Sequence, residues 1–131
     1  MFSHVTVGSN DVARSTAFYD GIAAALGLVR LLEFPQAVGY GRAGGRPQLW
    51  IVQPFDRKPA SFGNGITIGL EAGDRAAVDA AYAAAMAKGG RDEGKPGLRP
   101  HYHPNYYGAY VRDPDGNKVC IVCHGEAKRD R

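Results

Sequence analysis

Tyr110-Val-Arg-Asp-Pro-Asp-Gly-Asn-Lys-Val-Cys-Ile-Val122 reads as two strands folded back on each other. The residues between them are turn formers for separate reasons. Pro114 fixes φ, Gly116 admits a left-handed backbone, and Asp113, Asp115 and Asn117 can bond their own backbone through their side chains. The flanks alternate, so Lys118, Cys120 and Val122 share one face while Val119, Ile121 and Cys123 share the other. An apolar row on one side and a mixed row on the other describe a sheet that covers a core and lines something else.

Outward from this hairpin the pattern recurs. Phe2–Gly8 alternates as a strand, with Val5 and Val7 on one face and His4 and Thr6 on the other. Asn10 or Asp11 caps a helix to Leu26, stopped by Gly27, and extended runs follow at Val29–Phe34, Val38–Arg42 and Gln48–Gln53. After a polar stretch the order begins again. Ile66–Glu71 alternates, Asp74 opens an alanine-rich helix to Lys88, and the closing hairpin spans Tyr106–Arg112 and Lys118–His124. Lys95–Asn105, with three prolines and a glycine, reads as a long loop. The first-strand motif His4-Val-Thr-Val-Gly8 is echoed by Gly65-Ile-Thr-Ile-Gly69, which supports an internal duplication.

The expected organisation is therefore one domain over 1–125, α+β in class. A first β-α-β-β-β module covers about 2–53, a linker 54–64, a second module about 65–124, and a charged tail 126–131. Val5/Val7, Leu49/Ile51, Ile66/Ile68/Leu70 and Val119/Ile121/Cys123 are expected under the helices. The opposite row is His4/Thr6, Gln48/Trp50/Val52, Thr67/Gly69 and Lys118/Cys120/Val122, a mixed surface suited to a ligand.

Composition narrows the functions. In 131 residues, 44% hydrophobic and 22% charged, a single core can form and disorder is not expected. The formal charge of +3 is spread among alternating signs, so no basic stripe for nucleic acid is present. No stretch is long and apolar enough for a membrane span, and the first residues carry no secretory signal, so a cytoplasmic protein is expected. In that reducing compartment Cys120 and Cys123 should be free thiols. Cys120-Ile-Val-Cys-His124 matches a haem-attachment pattern, but alternation points its cysteines to opposite faces. Gly39-Tyr-Gly-Arg-Ala-Gly44 matches G-x-G-x-x-G, yet it lies in a hairpin with no helix to receive a phosphate. Arg99-Pro-His-Tyr-His-Pro-Asn-Tyr-Tyr-Gly108 concentrates side chains suited to a functional loop and equally to packing over a core.

The paired strand–helix–strand units, with His4 in Phe2-Ser-His-Val-Thr-Val-Gly8 and the Asp113-Pro-Asp-Gly-Asn117 turn, resemble the vicinal oxygen chelate superfamily over about residues 2–124. Glyoxalase I, bleomycin- and fosfomycin-resistance proteins and extradiol dioxygenases belong to it. The resemblance implies the glyoxalase/bleomycin resistance/dihydroxybiphenyl dioxygenase fold, a sheet-lined cup and commonly a homodimer. It implies a divalent metal (Zn, Ni, Mn or Fe) held from four strand positions, which map onto His4, near Trp50, Thr67 (or Gly65) and Cys120. Two of these lack an ordinary ligand, so the resemblance admits a metal-free cup as well. His4 and Cys120 are the metal candidates, with His101, His103 or His124 available to complete a site. In fosfomycin-type members a tyrosine three residues before the turn contacts the ligand, and Tyr110 holds that position. With Trp50, Thr67, Arg99 and Tyr106 it would bind a small aromatic or anionic molecule. Glu71 is the single acidic residue near the second half of the cup, so glyoxalase I chemistry, which needs a basic carboxylate, is not expected, and no catalytic residue is assigned. The resemblance leaves three readings: a small-molecule-binding member, a metal-dependent lyase, isomerase or dioxygenase acting on vicinal oxygens, and a non-catalytic drug-sequestering protein.

Overall fold

In the computed structural model, residues 1–127 are described; the expected charged tail falls outside the described residues from position 128 onward. Asp11, in extended conformation, accepts the Arg14 amide and starts α1 (Val12–Leu26), and Gly27 at φ 73° closes it. Asp74 accepts the Ala77 amide and starts α2 (Arg75–Ala87). The strands are β1 (Val5–Gly8), β2 (Val29–Phe34), β3 (Ala37–Gly41) and β4 (Leu49–Val52) in the first half. β5 (Ile68–Glu71), β6 (Arg91–Leu98), β7 (Tyr107–Arg112) and β8 (Lys118–Cys123) complete the second.

Each half forms a four-stranded sheet, ordered β1-β4-β3-β2 and β5-β8-β7-β6. In both, the first strand runs parallel to the last and the other pairs are antiparallel. The expected two-module α+β architecture is the one observed. α1 packs on β2, β3 and β4, α2 on β6, β7 and β8, and the helices pack on each other. A Cβ on Gly21 would lie 2.8 Å from that of Ala84, so the helices meet there at close approach. One continuous core results, with Phe18, Ile22, Ile51, Val78, Val111 and Ile121 fully buried. With both helices on one side, the other face of each sheet forms a concave surface.

Three local expectations need correction. β6 occupies Arg91–Leu98, where a loop was expected from Lys95 onward; Gly94, Pro96 and Gly97 are accommodated by two register shifts against β7. β1 starts at Val5 and β5 at Ile68, so His4 and Thr67 immediately precede their strands and are exposed. Ile66, expected under a helix, is 61% exposed for the same reason. Among the described residues no helix is long and apolar enough to cross a membrane.

The closing turn does more than reverse the chain. Asp113 is buried, and its Oδ1 accepts the amides of Asp115 and Asn117. Its Oδ2 accepts the Tyr19 hydroxyl of α1 at 2.7 Å and the Asn117 side-chain amide at 2.8 Å. Asn117 also donates to the Gly8 carbonyl at the end of β1. Asp115 accepts from Ser15 Oγ, Arg14 Nη2 and the Asn10 amide, all at the start of α1. The turn is thus a bolt between the two halves of the molecule.

Two outcomes are expected. Asp113→Ala leaves the Tyr19 hydroxyl and two turn amides without their acceptor, and lowers unfolding free energy by about 3 kcal/mol or more in urea denaturation. Burial, then the neighbouring Asp113 charge, holds the Tyr19 phenol well above its ordinary 10.0. The unfolded chain therefore loses this proton first, and stability falls as pH rises above about 10. Tyr19→Phe should flatten that alkaline decline while costing about 1 kcal/mol at neutral pH.

Candidate functional site: the concave face

Register decides which expected residues meet. Thr6 lies opposite Trp50, and Trp50 opposite Gly39 on the next strand. Cys120 lies between Gly69 on β5 and Tyr110 on β7. Cys123, with opposite parity, joins the core under α2, and both cysteines are free. The two inner strands, β1 and β5, border a common groove of about 350 Å³ whose walls include Thr6, Ile68 and Lys118. The concave surface therefore draws on both modules.

Glycines shape it. A Cβ on Gly39 would come within 3.0 Å of the Trp50 indole, and one on Gly108 within 3.0 Å of the Tyr106 ring. Each module thus lays one aromatic side chain flat on its sheet, which the absence of a side chain beneath permits. The Arg99 guanidinium likewise lies over Gly94 and Gly97, 3.2 Å from where their Cβ atoms would be.

In the second module these side chains form one cluster. The Tyr106 hydroxyl is 2.8 Å from that of Tyr110 and 3.3 Å from Cys120 Sγ. Burial, then the bond to Tyr106, holds the Tyr110 phenol well above its ordinary range, and burial, then the contact with Cys120, raises that of Tyr106. At neutral pH both are therefore hydroxyl donors. Two cations attend the Tyr110 ring, Arg99 at 5.9 Å and Lys118 at 5.4 Å from its centroid. Arg99 is steadied by a bond to the Lys95 carbonyl. Neither cation has a carboxylate partner among the described residues.

The 99–107 loop packs onto this cluster through aromatic edges. Tyr106 touches Tyr102, His103 and His124 at centroid distances of 4.8, 5.6 and 5.5 Å. His103 Nε2 lies 2.8 Å from His124 Nδ1. The direction of that bond is set by a neighbour: the Asn105 amide can only donate, so His103 Nδ1 is an acceptor. The His103 proton then sits on Nε2 and is donated to His124. Using this pair as metal ligands would require displacing that proton and giving up the Asn105 bond. His101 lies against Tyr102, with ring centroids 4.3 Å apart and planes tilted by 45°.

The four positions mapped for a metal supply an imidazole, an indole, a hydroxyl and a thiol. Indole has no lone pair to give, and the His4 Nδ1 is engaged with Ser3 Oγ at 2.9 Å. His4 also precedes β1, whereas Thr6, within it, is the residue that faces Trp50. Among the described residues no three His, Cys, Asp or Glu side chains converge as a metal centre requires. The donor set therefore falls short of what a divalent metal needs.

Sequence reasoning missed two contributors. Leu32 and Phe34 pair with Gly39 and Ala37, so they too face the concave side, 44% and 54% exposed. A register shift at Leu31 hides this, because it breaks the alternation that would have shown it. Alternation does place Lys118 on this face, but its approach to the Tyr110 ring has no local signal. The first module's half presents Trp50 beside the neutral Thr6, with Leu32 and Phe34 further along the same face; the second carries hydroxyls, a thiol and two cations. A surface cavity of about 510 Å³ lies elsewhere, between the β1–α1 turn and residues 53–59. Its mixed lining of Asp11, Gln36, Arg57 and Lys58 offers no comparable convergence.

This fold and site define a class. The profile of the Glyoxalase/Bleomycin resistance protein/Dioxygenase superfamily matches residues 1–121, and the chain belongs to that superfamily. A glyoxalase/bleomycin resistance protein from Albidiferax ferrireducens T118 is 39% identical, with a TM-score of 0.82, over 94% of this chain and 98% of its own. A glyoxalase-related enzyme from Fulvimarina pelagi, 17% identical, shares the fold over 100% of this chain and 99% of its own at a TM-score of 0.72. So does a lactoylglutathione lyase from Agrobacterium tumefaciens, 24% identical, over 94% and 92% at 0.62. No curated protein matches the chain.

The burial of both sulfurs gives a direct check. Cys120 and Cys123 are 3% and 2% exposed. A thiol reagent such as Ellman's should react slowly with the native protein and then titrate two thiols on unfolding. Gly108→Ala, which pushes Tyr106 off its bond to Cys120, should speed the Cys120 reaction selectively.

Proposed function

We propose that this protein binds a small planar molecule carrying an anionic group, with its ring against the Trp50 half of the concave face and its anion toward Arg99 and Lys118. One observation carries the reading. Two cations without carboxylate partners flank a phenol whose hydroxyl is paired with a second phenol. An anion there gains charge-assisted bonds from Arg99 and Lys118 and a hydroxyl from Tyr106 or Tyr110. The uncharged half supplies stacking and apolar contact. A molecule with both ends is therefore preferred over one with either alone.

A metal-dependent reaction in this cup would need donors beyond those the four mapped positions supply, whereas sequestration needs the binding alone. Binding is thus the first property to test. Trp50 is the sole tryptophan, so its fluorescence reports occupancy without a label. Titration with aryl carboxylates should quench or shift it, whereas the matching uncharged amides should bind more weakly. Replacing Arg99 or Lys118 by Met should weaken carboxylate binding about tenfold or more, the scale of one charge-assisted bond, and leave the amides nearly unchanged. Equal affinity for acid and amide, or no response of Trp50 to either, would reject the proposal.

A further inference from the structure

Asparagine followed by glycine is a reactive step in a polypeptide. With no side chain beside it, the glycine amide can reach the side-chain carbonyl carbon of the asparagine and close a five-membered ring. Of the asparagines at 10, 64, 105 and 117, Asn64 alone precedes a glycine. Two aspartates do so as well, Asp20 before Gly21 and Asp115 before Gly116. These steps share a sequence pattern and differ in what the fold does with them.

The aspartate steps are locked. Asp20 and Gly21 lie inside α1, where amides donate along the helix. The Asp20 carboxylate is also held by Arg30 and the Tyr40 hydroxyl. In the closing turn the Gly116 amide donates to the Asp113 carbonyl at 2.9 Å, and the Asp115 carboxylate accepts from Ser15, Arg14 and Asn10.

Asn64 is in the opposite situation. Gly63–Ile66 is an exposed turn, with Gly65 at φ 94° as its third residue. One bond closes it, from the Ile66 amide to the Gly63 carbonyl at 3.2 Å. Among the described residues the Asn64 side chain makes no hydrogen bond and the Gly65 amide has no acceptor. The flanks are fixed. Ala60 exchanges two bonds with the Asn10 side chain, Phe62 covers Gly116, and β5 begins at Ile68. Residues 63–67 contribute nothing to the core, so their backbone can rotate without disturbing it.

We infer that Asn64-Gly65 is a site of spontaneous covalent modification, at which the folded protein converts to isoaspartyl and aspartyl forms. The Gly65 nitrogen gives up its proton and bonds to Asn64 Cγ. The bond from Cγ to the side-chain nitrogen breaks, and that nitrogen leaves as ammonia. Water then opens the ring, giving aspartate by attack at Cγ and isoaspartate by attack at the main-chain carbonyl of residue 64. Either product carries a carboxylate where a neutral amide stood. In the isoaspartyl form the main chain runs through Cβ and Cγ and is one atom longer. Gly63 and Ile66 wall the inner groove with Thr6 and Lys118, so the change falls in the stretch that shapes it. The inference does not depend on what the concave face binds.

Ageing the purified protein tests it. In mildly alkaline buffer, where the attacking amide loses its proton more readily, cation exchange should show an earlier-eluting species that becomes the major one over days. It should co-elute with Asn64→Asp, and mildly acidic buffer should slow its appearance. Peptide mass spectrometry should place the exchange of NH2 for OH at residue 64, with isoaspartate in excess over aspartate, as ring opening gives and direct hydrolysis does not. Asn64→Gln, which would need a six-membered ring, should remain a single species with an unchanged circular dichroism spectrum. Asp20 and Asp115 should gain isoaspartate only after unfolding in guanidinium. A wild type that stays a single species, a conversion to aspartate alone, or isoaspartate arising first at Asp115 in the folded protein would each overturn the inference.

Discussion

The Asp113 carboxylate holds the two halves of this protein in register. Four donors converge on it: two amides of its own turn, the Asn117 side chain, and the Tyr19 hydroxyl from the opposite module. Burying a charge is costly unless it is fully bonded, and here every bond also fixes geometry. The turn amides shape the hairpin, Asn117 ties it to β1, and Tyr19 ties it to α1. Since β1 borders β5 across the inner groove, the position of this one turn sets how the two sheets sit beside each other. The concave face exists because that relation is fixed.

The side chains on that face are arranged by the glycines beneath them. Gly39 and Gly108 allow Trp50 and Tyr106 to lie flat, one in each module, and the matching arrangement reflects the duplicated fold. The chemistry has nonetheless diverged. Trp50 shares its face with Leu32 and Phe34, whereas Tyr106 has a phenol, a thiol and, beyond Tyr110, two cations. The same scaffold therefore presents one wall that favours apolar contact and another that favours an anion. This division is chemical, made by side chains, and costs the fold nothing because alternation keeps these residues off the core.

Much of this was legible from local patterns. Asp11, Gly27 and Asp74 announce the helices, and alternation around Trp50 and Cys120 assigns their faces correctly. The grouping of Tyr106, Tyr110 and Cys120 could be anticipated only in outline, from parity and family resemblance; their mutual bonds depend on side-chain placement. Two features were invisible for physical reasons. β6 carries Gly94, Pro96 and Gly97, which locally favour a loop, and it is a strand only because β7 supplies partners. Leu32 and Phe34 were hidden by the bulge at Leu31, since periodicity reports a face only where the period holds. The Asp113 turn was recognised as a turn, but its partner Tyr19 lies 94 residues away, beyond any local signal.

The duplication also poses a question that the structure answers by asymmetry. The turn equivalent to 113–117 in the first module is Arg42-Ala-Gly-Gly-Arg-Pro47, which contains no carboxylate and makes no comparable bolt onto the β5–α2 junction. Cavities of about 330 and 260 Å³ lie along that seam instead. Arg42 and Glu71 line both, yet they form no ion pair. Two bodies need few constraints to be held in place, and the Asp113 bolt together with the close helix contact at Gly21 and Ala84 already supplies them at separate points. A second bolt would add little, so the sequence at the first turn is released from structural duty. The seam stays open where the sheets begin rather than where they are tied, and the molecule's internal symmetry survives in its backbone while its side chains have lost it.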